Sequence, residues 1–297
     1  MKKSTINILF VIIIICISLS AILVKLTDAP SSIKVMYRMF LACLILSPVC
    51  IKYSKSLFQI KRKEWFAIMI AGIFLAAHFG FWFESLNHTT VASSTLILAL
   101  QPAIALIGGI FFFKEKVDIR LLIAMFIAFI GVAIVGWGNL DLGKGVLLGN
   151  FLSLLAVISI VCYLFIGQRN VQSVNHWLYS FFVFFVAGVT MLIFNVIGHV
   201  PLIGYTTNDW IVFILLAIFP SSAHIIFNLL LKYVNPTTIS MSTLGEPVGA
   251  SILAIFLLNE MITMVEFIGG IFIILGIFYF LRIQSRTEQP HSVETRK

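Results

Sequence analysis

Apolar side chains in this chain fall in long blocks rather than in alternation or narrow helical stripes. Short clusters of charged and turn-forming residues separate the blocks. Each block is close to the roughly twenty residues that cross a bilayer as a helix. Ten can be delimited, at about 6–24, 33–51, 65–86, 91–113, 121–137, 146–166, 177–197, 210–231, 238–258 and 265–281. Backbone polar groups in hydrocarbon must be satisfied within the spanning segment, so the blocks predict ten helices and an all-α integral membrane protein. The first block follows Lys2 and Lys3, as a signal peptide would. Its uncharged stretch is too long for one, and it reads as the first span.

Composition sharpens this picture. Of 297 residues, 60% are apolar and only 11% charged, with a mean hydropathy of +1.08. Soluble domains carry about 25% charged residues, so a soluble enzyme or a nucleic-acid binder is excluded despite a net charge of +8. The placement of the basic residues is more informative. With the N-terminus inside, sixteen Lys and Arg residues fall on the cytoplasmic side, while Lys25, Lys34, Arg38 and Lys144 fall on or near the other. By the positive-inside rule both termini are then cytoplasmic, and residues 283–297 form a cytoplasmic tail. The basic stretch from Lys52 to Lys63 fixes topology and meets anionic lipid. Cys16, Cys43, Cys50 and Cys162 sit in or at the end of apolar blocks and read as small hydrophobes rather than disulfide partners.

The chain also repeats itself. A shift of 145 residues lays Gln101-Pro102 on Glu246-Pro247, Glu115 on Glu260, Gly131 on Gly276 and Trp65 on Trp210. A shift of 146 lays His78 and Trp82 on His224 and Asn228. Matches of Ile or Phe are cheap in so apolar a chain; matches of Pro, Glu, Trp and Gly are not. Two halves of five spans follow, residues 6–137 and 146–282. Because five is odd, the second half enters the membrane from the opposite side, an inverted repeat of the kind found in secondary transporters.

The blocks from Ser94 through Gln101-Pro102 to Lys114-Glu115-Lys116, and from Gly245-Glu246-Pro247 to Leu258-Asn259-Glu260, resemble the two EamA repeats of the drug/metabolite transporter superfamily. Lys25 and Arg38 resemble that family as well, and the resemblance runs from about residue 8 to 282. It implies a ten-helix bundle that moves small organic molecules across the plasma membrane, commonly outward. Gln101 stands where the first repeat more commonly has Glu, and Asn259 where Gly is usual.

Several polar residues stand out in the spans. Gln101 and Glu246 lie about 15 Å into their helices at 1.5 Å per residue, near mid-membrane. An ionisable group at that depth is expensive and ordinarily faces the bundle interior, so Glu246 is expected to titrate with a proton or to pair with a substrate amine. Gln101 reads equally well as a cavity residue or as a partner for a backbone group. Pro102 and Pro247 cannot donate to the carbonyls of Leu98 and Thr243, which predicts kinks. His78 with Trp82, and His224 with Asn228, share helix faces at i,i+4. Each histidine suits a proton relay or gate, or a packing bond to a backbone carbonyl. Arg38 and Glu84, both near the outer face, read as candidates for a closing ion pair, with extension of Arg38 to the headgroups the alternative.

These features favour a secondary transporter of small metabolites, amino acids or drug-like compounds, exporting by alternating access with proton exchange or facilitated diffusion. The expected partners are a small-molecule substrate, the lipid bilayer and protons. No phosphate-binding, metal-ligating or cofactor motif is present in the sequence. A channel, a sensor or structural membrane protein, and an intramembrane enzyme are the alternatives.

Overall fold

The computed structural model describes residues 1, 3–89, 94, 97–114, 118–137, 146–249, 252–253 and 264–287. Ten α-helices are described: α1 Lys3–Lys25, α2 Ser31–Lys52, α3 Arg62–His88, α4 Gln101–Phe113, α5 Ile119–Trp137, α6 Val146–Asn170, α7 His176–Ile197, α8 Thr207–Leu230, α9 Pro236–Thr243 and α10 Met264–Thr287. Seven of them are long and apolar enough to cross a membrane; α4 and α5 are shorter apolar helices. The protein is therefore all-helical and multi-pass. Cys16, Cys43, Cys50 and Cys162 are free thiols.

Helix starts follow local chemistry. Pro30 precedes α2 with a φ of −54°. The side chain of Asn175 accepts from the Trp177 amide at 2.9 Å and opens α7. Thr206 and Asp209 form a reciprocal capping box at the start of α8. Asp209 also accepts the Thr27 hydroxyl, tying that start to the connector between α1 and α2. Asn235 caps α9 through the Thr238 amide, with Pro236 in the first turn, where its missing N–H costs nothing.

The fourth and ninth apolar blocks depart from expectation. Each is broken rather than kinked. Residues 97–98 are helical, Ala99 and Leu100 form a turn, and α4 begins anew at Gln101. In the second half α9 stops at Thr243, Leu244 and Gly245 form a turn, and a new helical turn covers 246–249. The prolines remove the next helical hydrogen bond, and the chain closes three-residue turns instead. Leu100 donates to the Ile97 carbonyl at 3.0 Å, and Gly245 to that of Ser242 at 3.1 Å. Each proline thus starts the following helix instead of bending a continuous one. Glu115 and Glu260 lie outside the described residues.

Packing follows the repeat. The closest helix pairs are α3 with α6, α5 with α10, α2 with α7, α3 with α7, α1 with α8, α2 with α8 and α4 with α9. Replacing each helix by its counterpart five places along the order maps this set onto itself: α3–α6 becomes α8–α1, α3–α7 becomes α8–α2, and the other three pairs return unchanged. The matched glycines explain the α5–α10 contact. A Cβ on Gly131 would lie 2.6 Å from the Gly269 carbonyl oxygen, and one on Gly276 would lie 2.6 Å from the Ala128 amide nitrogen. Backbones of α5 and α10 therefore touch directly, which is how apolar helices gain packing energy where lipid supplies no hydrophobic drive.

Candidate functional site

The two helix breaks meet in the middle of the bundle and enclose a cavity of about 50 Å³. Its walls come from both halves: Arg38, His78, Phe79, Trp82 and Gln101 from the first, His224, Phe227, Glu246 and Pro247 from the second. Five of the polar and aromatic residues singled out in the sequence, Glu246, Gln101, His78, Trp82 and His224, are thus brought to one place. The volume holds only a few water molecules, far below the roughly 300 Å³ of a small-molecule pocket. This conformation is closed around an almost filled centre.

His78 is buried, and its Nδ1 lies 2.9 Å from the Ala156 carbonyl oxygen. A carbonyl only accepts, so Nδ1 carries the proton and ties α3 to α6. The imidazole lies nearly parallel to the Trp82 ring, with centroids 6.2 Å apart. His224 is equally buried, but its Nδ1 has no hydrogen-bond partner among the described residues. Its ring meets Phe79 edge-on at 5.1 Å and Phe227 at the same distance. Gln101 donates from Nε2 to the Ser240 hydroxyl at 3.1 Å, joining the start of α4 to α9. Glu246 is half-buried, and its carboxylate accepts no hydrogen bond among the described residues. Its backbone carbonyl accepts from Ser18 of α1 at 3.2 Å.

Two expectations change. Arg38 and Glu84 do not pair. Arg38 is fully buried and turns inward: its Nε donates to Ser221 Oγ at 3.2 Å, and its guanidinium lies 3.8 Å from the centre of the Phe79 ring. Glu84 is half-buried near the end of α3 and accepts from Asn87 at 3.1 Å and from His88 at 3.2 Å. About two turns of helix separate Arg38 from Ser31 at the start of α2, and the rotation over that length carries the side chain to the core instead of the outer rim. Asn228 lies outside the cavity. Its Oδ1 accepts the Tyr163 hydroxyl at 2.7 Å and its Nδ2 donates to Ser180 at 3.0 Å, a buried knot joining α6, α7 and α8. Pro102 is buried behind the break and Pro247 on its cavity side.

Phe79, Ser221 and Ser240 escaped the sequence reading. Nothing distinguishes Phe79 among twenty-eight phenylalanines except its place beside His78. Ser221 had a usable signal in the preceding Pro220, which deprives the Leu216 carbonyl of its helical donor. The Ser221 hydroxyl donates to that carbonyl at 3.3 Å while accepting from Arg38.

A larger cleft of about 650 Å³ lies between α1, α10 and Gly245, Val248, Gly249, Ile252 and Leu253. Its walls are almost wholly apolar, with Asn7, Ser242 and Arg282 the polar exceptions.

Comparison with known proteins follows the same division into halves. The profile described as the EamA-like transporter family matches residues 4–137 and again 147–282. An uncharacterized transporter of Synechocystis is 28% identical over 236 residues, covering 73% of this chain and 66% of that protein. An uncharacterized transporter of Clostridium kluyveri is 24% identical over 199 residues, covering 65% and 64%. The chain spans just under two thirds of the length of these curated relatives. A solved crystal structure at 14% identity superposes with a TM-score of 0.79 over 97% of this chain and all of the other, a likeness of fold alone.

Proposed function

The chain belongs to the EamA-like transporter family, and from that membership we propose that it is a secondary transporter exporting a small organic molecule through the central cavity. The observation that carries this reading is a polar cavity built jointly by the two halves at their paired proline breaks. Such a placement suits alternating access, in which one half rocks against the other around a fixed site. The self-mapping helix pairs support two repeats related by a twofold axis in the membrane plane, with inverted topology and ten spans. Both termini then face the cytoplasm, as the basic residues require in a plasma membrane.

Within this reading Glu246 is the proton-titrating group. A carboxyl at mid-membrane without a hydrogen-bond partner is poised to change protonation as its surroundings open to one side or the other. His224, with an open ring nitrogen, is the relay that exchanges protons with it. His78 is held in one tautomer by the Ala156 carbonyl and orients the Trp82 wall. The closed centre is the occluded stage of the cycle.

Counterflow in proteoliposomes tests the reading. Vesicles loaded with one unlabelled member of a pool of amino acids, nucleosides, polyamines or organic acids should accumulate the same labelled compound above equilibrium. Steady current without saturation in place of exchange would make the protein a channel, and chemical conversion of the compound would make it an enzyme. Labelling of single cysteines placed in the two tails should report both on the cytoplasmic side.

A further inference from the structure

We infer that Arg38 is the receptor for a carboxylate group, so that the transported molecule is a small monocarboxylate; this rests on the transporter reading above. Arg38 has no exposed surface, and neither terminal guanidinium nitrogen, Nη1 nor Nη2, has a hydrogen-bond partner among the described residues. Its Nε is held by Ser221 and its face by Phe79, which fixes the orientation of the fork. The guanidinium lines the central cavity.

No carboxylate among the described residues comes within 4.0 Å of it. Burying a cation without a counter-charge is strongly unfavourable, and contact with one aromatic face returns only part of the lost solvation. Buried polar atoms without partners are few in native proteins, and each calls for an explanation. Here they cluster: of the eight such side-chain atoms among the described residues, four belong to Arg38, His224 and Ser20, all of which line this cavity.

A planar carboxylate satisfies the two free guanidinium nitrogens together, in the fork-to-fork geometry that arginine favours. Hydroxyl and imidazole groups of Ser20 and His224 complete the polar side. Phe79, Trp82 and Phe227 supply an apolar wall for the remainder of the molecule once the halves part, since the present cavity of about 50 Å³ has no room for it. The single cation and the Glu246 carboxyl on the same cavity disfavour a second negative charge on the substrate, hence one carboxylate rather than two.

Thermal unfolding of the full-length protein in lipid nanodiscs tests this with a matched set: phenylacetate, its neutral amide phenylacetamide, the cation phenethylamine and the dianion phenylmalonate. Phenylacetate should raise the midpoint, and the other three should shift it little. Arg38→Gln should weaken the phenylacetate response by at least roughly tenfold, and Arg38→Lys should keep part of it. Ser221→Ala, which keeps the charge but frees Nε, should weaken it roughly three- to tenfold. Without ligand, Arg38→Gln should be no less stable than the wild type, since it removes an unpaired charge. Equal responses to the acid and the amide in the wild-type protein would overturn the proposal even if the Arg38 variants failed to fold. So would an unchanged phenylacetate response in a folded Arg38→Gln protein. If phenylacetate binds through Arg38 yet no compound shows counterflow, the carboxylate receptor stands and the transporter reading falls.

Discussion

The two halves of this protein place equivalent residues around one cavity but treat them unequally. In the first half Gln101 is bonded to Ser240 and His78 to Ala156. In the second half the matching Glu246 carboxylate and His224 Nδ1 have no partners among the described residues. The breaks themselves are alike, with a proline one residue after the polar side chain and a three-residue turn before it. Duplication thus supplied a symmetric scaffold, and at these two matched positions the open groups stand in the second half. The first half contributes open groups of its own at unmatched positions, the Ser20 hydroxyl and the Arg38 guanidinium, on the cavity that Glu246 also lines.

The strongest way to break the comparison is to make the second half copy the first. Glu246→Gln should leave expression and folding intact and abolish the pH dependence of transport, measured as counterflow against internal and external pH. A wild-type pH profile in the variant would remove the proton role.

Symmetry of the scaffold can be attacked next. Gly131→Leu and Gly276→Leu each force a side chain between touching backbones, and each should cost about 1–3 kcal/mol or prevent folding. Detergent-solubilised unfolding midpoints should fall by similar amounts for the two. A large loss at one site and none at the other would show that the α5–α10 contact is not shared equally by the halves.

The histidines sharpen the contrast at a smaller scale. His78→Ala breaks the bond to Ala156 and should lower stability by about 1 kcal/mol. His224→Ala loses no hydrogen bond and should slow turnover with little change in stability. Equal stability losses would erase the distinction between a bonded and an open histidine. The smallest effect is expected at the prolines, which already begin helices: Pro102→Ala and Pro247→Ala should keep folded protein and slow cycling by letting the helices join across the break.

Much of the fold was readable before any coordinates. Eight of the apolar blocks became helices within a few residues of their expected limits, because hydrocarbon length and backbone satisfaction leave little freedom. Gly131 and Gly276 marked the repeat, while the contact they permit between α5 and α10 came only with the structure. The candidate site was legible only in part. Glu246 and Gln101 marked the cavity by depth, and the paired histidines by repetition. Arg38 was misplaced at the outer rim, and Asn228 was assigned to the cavity when it instead joins three helices.

The order of hydrophobic blocks, the duplication and the family signature were determined by the sequence itself, since each depends on side-chain type and spacing along the chain. Which way Arg38 turns, whether Glu246 finds a donor, and whether a proline bends a helix or starts a new one were decided only by tertiary structure. Successive residues of a helix point about 100° apart, so a small shift in rotation or in the facing helix moves a polar group between a knot, a cavity and the rim. Such differences are set by packing between segments distant in sequence, and no local pattern records them.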